Sequence, residues 1–225
     1  TGILESWGRP LQPVVTMKKL DKLAHPRALG PKGPERPWSL YVSNAPESEF
    51  GYYGSGFHEA ARRLARSITR RRGRRGADVL PLLFLYRHSI ELLAKAVVLS
   101  GNRFMQVVGD GRDESEVLAS FRRSRHRLLP LLAQIRKILE FSHFEWFFPG
   151  SAVETFADVQ RVFEELDILD SDACTFRYPI NVLGERSTPS DLELGLKTMV
   201  AVLDDLAEAL DTVVFALDAK SSTLA

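Results

Sequence analysis

Four ionisable residues interrupt the most apolar stretch of this 225-residue chain. Within Val79–Ser100, Arg87, Glu91 and Lys95 stand four apart, so a helix would line them along one face, and His88 comes three residues before Glu91. Nearly every other position there is apolar, so the helix should be buried almost all round. Ions in such a setting must be paired, hydrated or aimed into a cavity. Two readings stand side by side. The stripe is a paired network that fixes helix register, or a site whose proton affinities are tuned by its surroundings.

Arginine density marks two further places. Arg122, Arg123, Arg125 and Arg127 surround His126, and a cluster of this kind suits phosphate, which accepts paired guanidinium hydrogen bonds. The alternative is a solvated charged face, with His126 as a helix cap or core histidine. Eight arginines lie between Arg62 and Arg75, with Arg70, Arg71 and Arg72 the densest, and they either track nucleic acid or solubilise a loop. No His/Cys cluster has zinc spacing, no paired-acid motif suits magnesium, and Gly51, Gly54 and Gly56 form no phosphate-binding loop. We therefore expect no metal and no cofactor. Cys174 is the single cysteine, which excludes an internal disulfide and points to a reducing compartment.

The elements that must position these residues read as helices. Phe57, Ala61, Leu64 and Ile68 share one face of a helix from about Gly56 to Arg71, with Arg62, Arg63, Arg66 and Arg70 opposite. Asp78 is suited to cap the second helix, with Gly101 as its C-terminal glycine. A third helix begins between Glu114 and Leu128 and turns Leu128, Leu131, Leu132, Ile135, Ile138 and Leu139 inward, with Pro130 near its start or at a kink. An aromatic connector, Phe141 to Phe148, follows. Ser151 and Glu154 form a capping-box pair for a fourth helix that buries Phe156, Val159, Phe163 and Leu166. After a loop containing Phe176-Arg177-Tyr178-Pro179, Thr188, Pro189 and Asp191 announce the last and longest helix, 190–217. Its seam of Leu192, Leu196, Met199, Leu203, Leu206, Leu210, Val213 and Leu217 would lie along neighbouring helices or across a two-fold axis.

Residues 1–50 hold seven of the twelve prolines, which excludes a long helix there. The expected organisation is all-α: an irregular Pro-rich N-terminal arm over 1–50, draped or partly disordered, and a helical bundle of four to five long helices over 51–225. Hydrophobic residues make up 44%, enough for a core without disulfides or metals. Arg87, His88, Glu91 and Lys95 exclude the Val79–Ser100 segment as a membrane span, and no secretory signal is legible, so a cytoplasmic protein is expected. Charge is lopsided. Residues 1–149 carry 25 Lys and Arg against 14 Asp and Glu, whereas 150–225 carry 5 against 15. Such asymmetry implies a basic face for a polyanion, two halves that attract each other, or both.

Taken in order, Tyr86-Arg87-His88-Ser89-Ile90-Glu91-Leu92-Leu93-Ala94-Lys95, then His126 before a Leu-rich helix, then Phe176-Arg177-Tyr178-Pro179, resemble bacterial proteins of the HEPN superfamily over about residues 55–215. The resemblance implies a helical bundle and a place in a bacterial stress, toxin–antitoxin or phage-defence system. Many members are metal-independent endoribonucleases and others are inactive binding modules. It also implies a homodimer with composite sites, with RNA and a cognate partner protein or antitoxin as partners. The active members carry an Arg and a following His with four to six residues between them. Arg136 and His143 meet that spacing, although Lys137 stands where Asn, Asp or His is usual.

In active members a histidine takes the proton of the ribose 2′-hydroxyl and arginine holds the scissile phosphate. The catalytic candidates are His88, His126, Arg87, Glu91 and Arg177, with Arg136 and His143 as second choice. The RNA-binding candidates are Arg122, Arg123, Arg125, Arg70, Arg71 and Arg72. Glu91 is expected to anchor His126 or Arg177. The competing class is a catalytically silent bundle that binds a partner protein or small ligand.

Overall fold

The 32-residue helix that carries the ionic stripe is the longest of the described chain, and four of the other five helices pack against it. The computed structural model describes residues 49–70, 76–170, 173–181, 183–188 and 193–224, all within one unit, Ser43–Ala225. Six helices occupy them: α1 Glu49–Arg70, α2 Gly76–Val107, α3 Glu114–Ser124, α4 Leu129–Ser142, α5 Phe156–Leu169 and α6 Leu196–Leu224. Two isolated β-bridges, Phe147 with Thr155 and Ile180 with Arg186, are the only extended pairings among the described residues. The arm over 1–48 and the basic run 71–75, with Arg71 and Arg72, lie outside them.

Helix α2 is buried because its apolar residues cover more than one face. Leu82, Tyr86, Ile90, Leu93, Ala94, Val97 and Val98 are all sealed, and α1, α4 and α6 are its main neighbours. Close approach depends on two glycines. A Cβ at Gly54 of α1 would strike Leu93, and Ser89 Oγ donates to the Gly54 carbonyl at 2.8 Å. A Cβ at Gly101 would strike three atoms of Ile138 on α4. Gly101 therefore does not end α2, as its position after Ser100 suggested. It lies inside a helix that continues to Val107, at the point where α4 crosses closest.

Other boundaries differ for local reasons. Helix α1 starts seven residues earlier than expected, at Glu49. Asp78 sits in the first turn of α2 instead of preceding it. The expected third helix is two helices, α3 and α4, broken at 125–128 where Arg125 adopts φ 53°. The capping box of α5 is Thr155 with Asp158, each side chain receiving the other's backbone N–H. Ser151 Oγ instead donates to Asp205 at 3.2 Å and accepts from Val153 N–H. At the last helix, Thr188 Oγ1 turns back to the Thr175 carbonyl, and α6 opens at Leu196; residues 189–192 lie outside the described set.

The α6 seam faces inward. Leu203, Leu206, Leu210, Val213 and Leu217 are buried against the chain's own core, so the seam is not free to pair across a two-fold axis. Its acids face α1. Asp204 accepts from Tyr86 Oη and pairs with His58 Nε2, each at 2.8 Å, and Arg62 donates to Glu208 at 2.8 Å. The oppositely charged halves thus meet along this contact.

The Gly101 contact gives a test of sign. At an unconstrained helical glycine, alanine should stabilise by about 1 kcal/mol through propensity. Here Gly101→Ala should instead destabilise by about 1–3 kcal/mol through overpacking, and adding Ile138→Val should recover part of the loss. Urea unfolding of the three variants measures both.

Candidate functional site

Glu91 is the point at which the polar residues of α2 meet the rest of the chain. Its side chain is 1% exposed, and three cations or donors reach it. Lys95 Nζ donates to Oε1 at 2.6 Å, Arg87 Nη1 donates to Oε2 at 2.9 Å, and His126 Nδ1 lies 3.1 Å from Oε1. Helical spacing supplies the first two. The third comes from the α3–α4 connection, 35 residues downstream. Burial works to raise the Glu91 pKa, but the charge and hydrogen bond of Lys95, with His126 and Arg87 behind them, outweigh it and hold the carboxyl below its ordinary 4.5.

Arg87, also 1% exposed, ties this centre to two loops. Its Nε donates to the Asp170 carbonyl at 3.0 Å and lies 3.3 Å from Asp170 Oδ2, while Nη2 donates to the His126 carbonyl. Asp170, at the end of α5, accepts the Thr175 N–H at Oδ1, 2.8 Å away. Nearby, Asp167 Oδ1 accepts the Leu128 N–H at 2.8 Å, satisfying a donor at the start of α4. His126 is thus held twice, by its ring through Glu91 and by its carbonyl through Arg87. A carboxylate only accepts, so the neutral imidazole bound to it carries its proton on Nδ1 and leaves Nε2 as an acceptor.

The two ends of this network differ in exposure. Arg87 and Glu91 are sealed, whereas the His126 side chain is 47% exposed. His126 opens on a cleft of about 620 Å³ lined also by Lys95, Phe121, Arg122, Arg125, Cys174 and Asn181. Among the described residues no carboxylate lines it. On its other side His126 shares a space of about 20 Å³ with Phe84, Arg87, His88, Ala173 and Arg177, which is room for about one water molecule.

The remaining candidates fall in several places. Arg177 does not touch Glu91; it donates to the Ala173 carbonyl, and its guanidinium carbon lies 5.5 Å from the Phe84 ring centre. His88 packs edge-on to Phe57 at 4.5 Å and is stacked with Phe84 at 5.6 Å. Burial pushes its pKa below the ordinary 6.5, more strongly than Glu91 pulls it up. Arg123 is exposed but does not line the cleft, and exposed Arg70 closes α1. Arg136 and His143 line a separate groove of about 430 Å³ with Glu140, Phe144, Trp146 and Phe156. There Arg136 is engaged by Gln160 at 2.6 Å and by the Phe156 ring, and His143 caps α4 with φ 49°.

Asp170 and Asp167 were not singled out in the sequence. Both stand in the acid-rich run Asp167-Ile168-Leu169-Asp170-Ser171-Asp172, where nothing separates a buried acid from a solvated one. No group of three or more His, Cys, Asp or Glu side chains among the described residues could hold a metal ion. No protein-family model, curated protein or solved structure matches the chain.

Two outcomes follow for stability. Glu91→Ala leaves Arg87 buried without its carboxylate and should cost about 3–5 kcal/mol in urea unfolding. The second concerns acid. With its folded pKa below the unfolded 6.5, His88 contributes stability that is complete above pH 6.5 and lost as pH falls toward the folded value. The melting temperature should therefore drop on acidification below pH 6.5, and His88→Phe should flatten that part of the profile.

Proposed function

We propose that this chain is a HEPN-like helical-bundle protein of a bacterial stress or defence system that binds RNA in the basic cleft and cleaves it without metal. One observation carries the reading: His126 is held at Nδ1 by a buried carboxylate and opens on a cleft where, among the described residues, every charged lining side chain is basic and none takes Nε2. In this reading His126 takes the proton of the ribose 2′-hydroxyl through Nε2. The 2′-oxygen then attacks the adjacent phosphorus and the bond to the 5′-oxygen of the next nucleotide breaks, giving a 2′,3′-cyclic phosphate. The departing 5′-oxygen takes a proton from water and becomes a hydroxyl, and His126 returns its proton to solvent. Arg122 and Arg125 hold the phosphate, and their charges offset the negative charge that develops on it.

Arg87 and Glu91 act through His126, because sealed side chains do not touch RNA. The proposed setting is cytoplasmic, with a cognate partner protein or antitoxin and a homodimer whose interface lies elsewhere than the α6 seam. A second reading is favoured by the sealing of Arg87 and Glu91: a catalytically silent bundle in which the network only fixes register, binding a partner protein or small ligand.

Incubating the chain with labelled RNA in excess chelator separates the two. Cleavage should persist and yield cyclic-phosphate ends, and His126→Ala should reduce its rate by about 10²–10⁴-fold. Arg122→Ala with Arg125→Ala should weaken RNA binding and lower the slope of log affinity against log salt by roughly 0.7 per lost contact. Failure of the wild-type chain to bind or cleave RNA would leave the silent-bundle reading.

A further inference from the structure

Beside the basic cleft, the connection between α5 and α6 holds an exposed tyrosine in a tightly fixed turn. Phe176 is buried and roots the turn in the core. The backbone N–H groups of Arg177 and Tyr178 both donate to the Cys174 carbonyl, at 3.1 and 2.9 Å. Ser187 N–H donates to the Pro179 carbonyl at 3.1 Å, and Ile180 pairs with Arg186. The Arg177 guanidinium carbon lies 5.6 Å from the Tyr178 ring centre, in addition to its contact with Phe84. Despite these ties Tyr178 is 55% exposed.

The turn is also adjacent to the proposed site. Arg177 shares the one-water space with His126, and Cys174, whose carbonyl anchors the turn, lines the cleft with His126. Fixing the backbone beneath a ring left largely in water contributes little burial to folding. It does supply a preorganised face on which a nucleic-acid base can stack.

We propose that Tyr178 and Arg177 form a stacking platform for one unpaired base beside the phosphate held in the cleft, so that the site selects single-stranded over double-stranded RNA. The proposal rests on the RNA-binding reading above. A base within a duplex has both faces covered by its neighbours and reaches Tyr178 only by leaving the stack. Every base has a π-face, so the platform sets strandedness and tolerates sequence. The Arg177 charge adds attraction both to the stacked ring and to the neighbouring phosphate.

Fluorescence anisotropy of the full chain with a mixed-sequence RNA of about 12 nucleotides, single-stranded or annealed to its complement, tests this. The wild-type chain should prefer the single strand. Tyr178→Ala should weaken single-strand binding by about 5- to 100-fold, leave duplex binding unchanged and so remove the preference, while Tyr178→Phe keeps it. Arg125→Ala should weaken both forms alike. Unchanged single-strand affinity in Tyr178→Ala, alongside a loss in Arg125→Ala, would overturn the platform and leave the RNA reading standing. An equal loss in Tyr178→Phe would also overturn it, by assigning the effect to the hydroxyl. No binding of either RNA by the wild-type chain, or no effect of Arg125→Ala, would overturn the RNA reading and the platform with it.

Discussion

A carboxylate sealed in the middle of the most apolar helix has to be satisfied, and the polar architecture of this protein is organised around satisfying Glu91. Its two oxygens draw Arg87 from one turn before and Lys95 from one turn after on the same helix face, and His126 from another segment. Arg87, buried in turn, needs acceptors for its other nitrogens and finds them on Asp170 and on the His126 carbonyl. One buried charge thus fixes the end of α5 and the α3–α4 junction relative to α2. Neutralising the pair by apolar replacement can be harmless in other proteins, whereas removing one partner is costly, so the network behaves as a unit.

The α3–α4 helix breaks just before Pro130, which in a continuous helix would clash with the His126 carbonyl and which sits instead in the first turn of α4. The backbone groups freed there are captured by the buried network: the His126 carbonyl by Arg87, and the Leu128 N–H by Asp167. Freed from a continuous helix, His126 projects at the surface while its ring remains tied to the buried centre. Arg122 and Arg125 flank it with no acidic partner among the described residues, in contrast to Arg62, whose charge is met by Glu208. The chain's uneven charge therefore divides into a part that holds α1 to α6 and a part left facing the cleft.

Much of this was legible from residue spacing, and the failures have definite causes. The stripe at Arg87, Glu91 and Lys95 stood out because an i, i+4, i+8 pattern of ions in an apolar helix has few benign explanations. The inward face of α6 was equally clear, from Leu203 to Leu217, but periodicity does not say whether a seam meets its own chain or another. Gly101 was misread because a glycine that ends a helix and one that admits a neighbouring helix look alike in sequence. Thr188-Pro189 had the residues of a helix start, yet Thr188 bonds to Thr175, a tertiary contact that spacing cannot reveal. The site's third component, Asp170, was hidden among other acids, and only its burial against Arg87 distinguishes it.

The central claim is that Glu91 fixes His126 by its Nδ1 and presents Nε2 to the cleft. Nitrogen-15 NMR of the histidine side chains, recorded where the imidazole is neutral, reads this directly from the one- and two-bond couplings of each ring. The account predicts that His126 is in the Nδ1–H tautomer and that Glu91→Gln shifts its ring signals. An Nε2–H tautomer, or a tautomer mixture unaffected by Glu91→Gln, would contradict it.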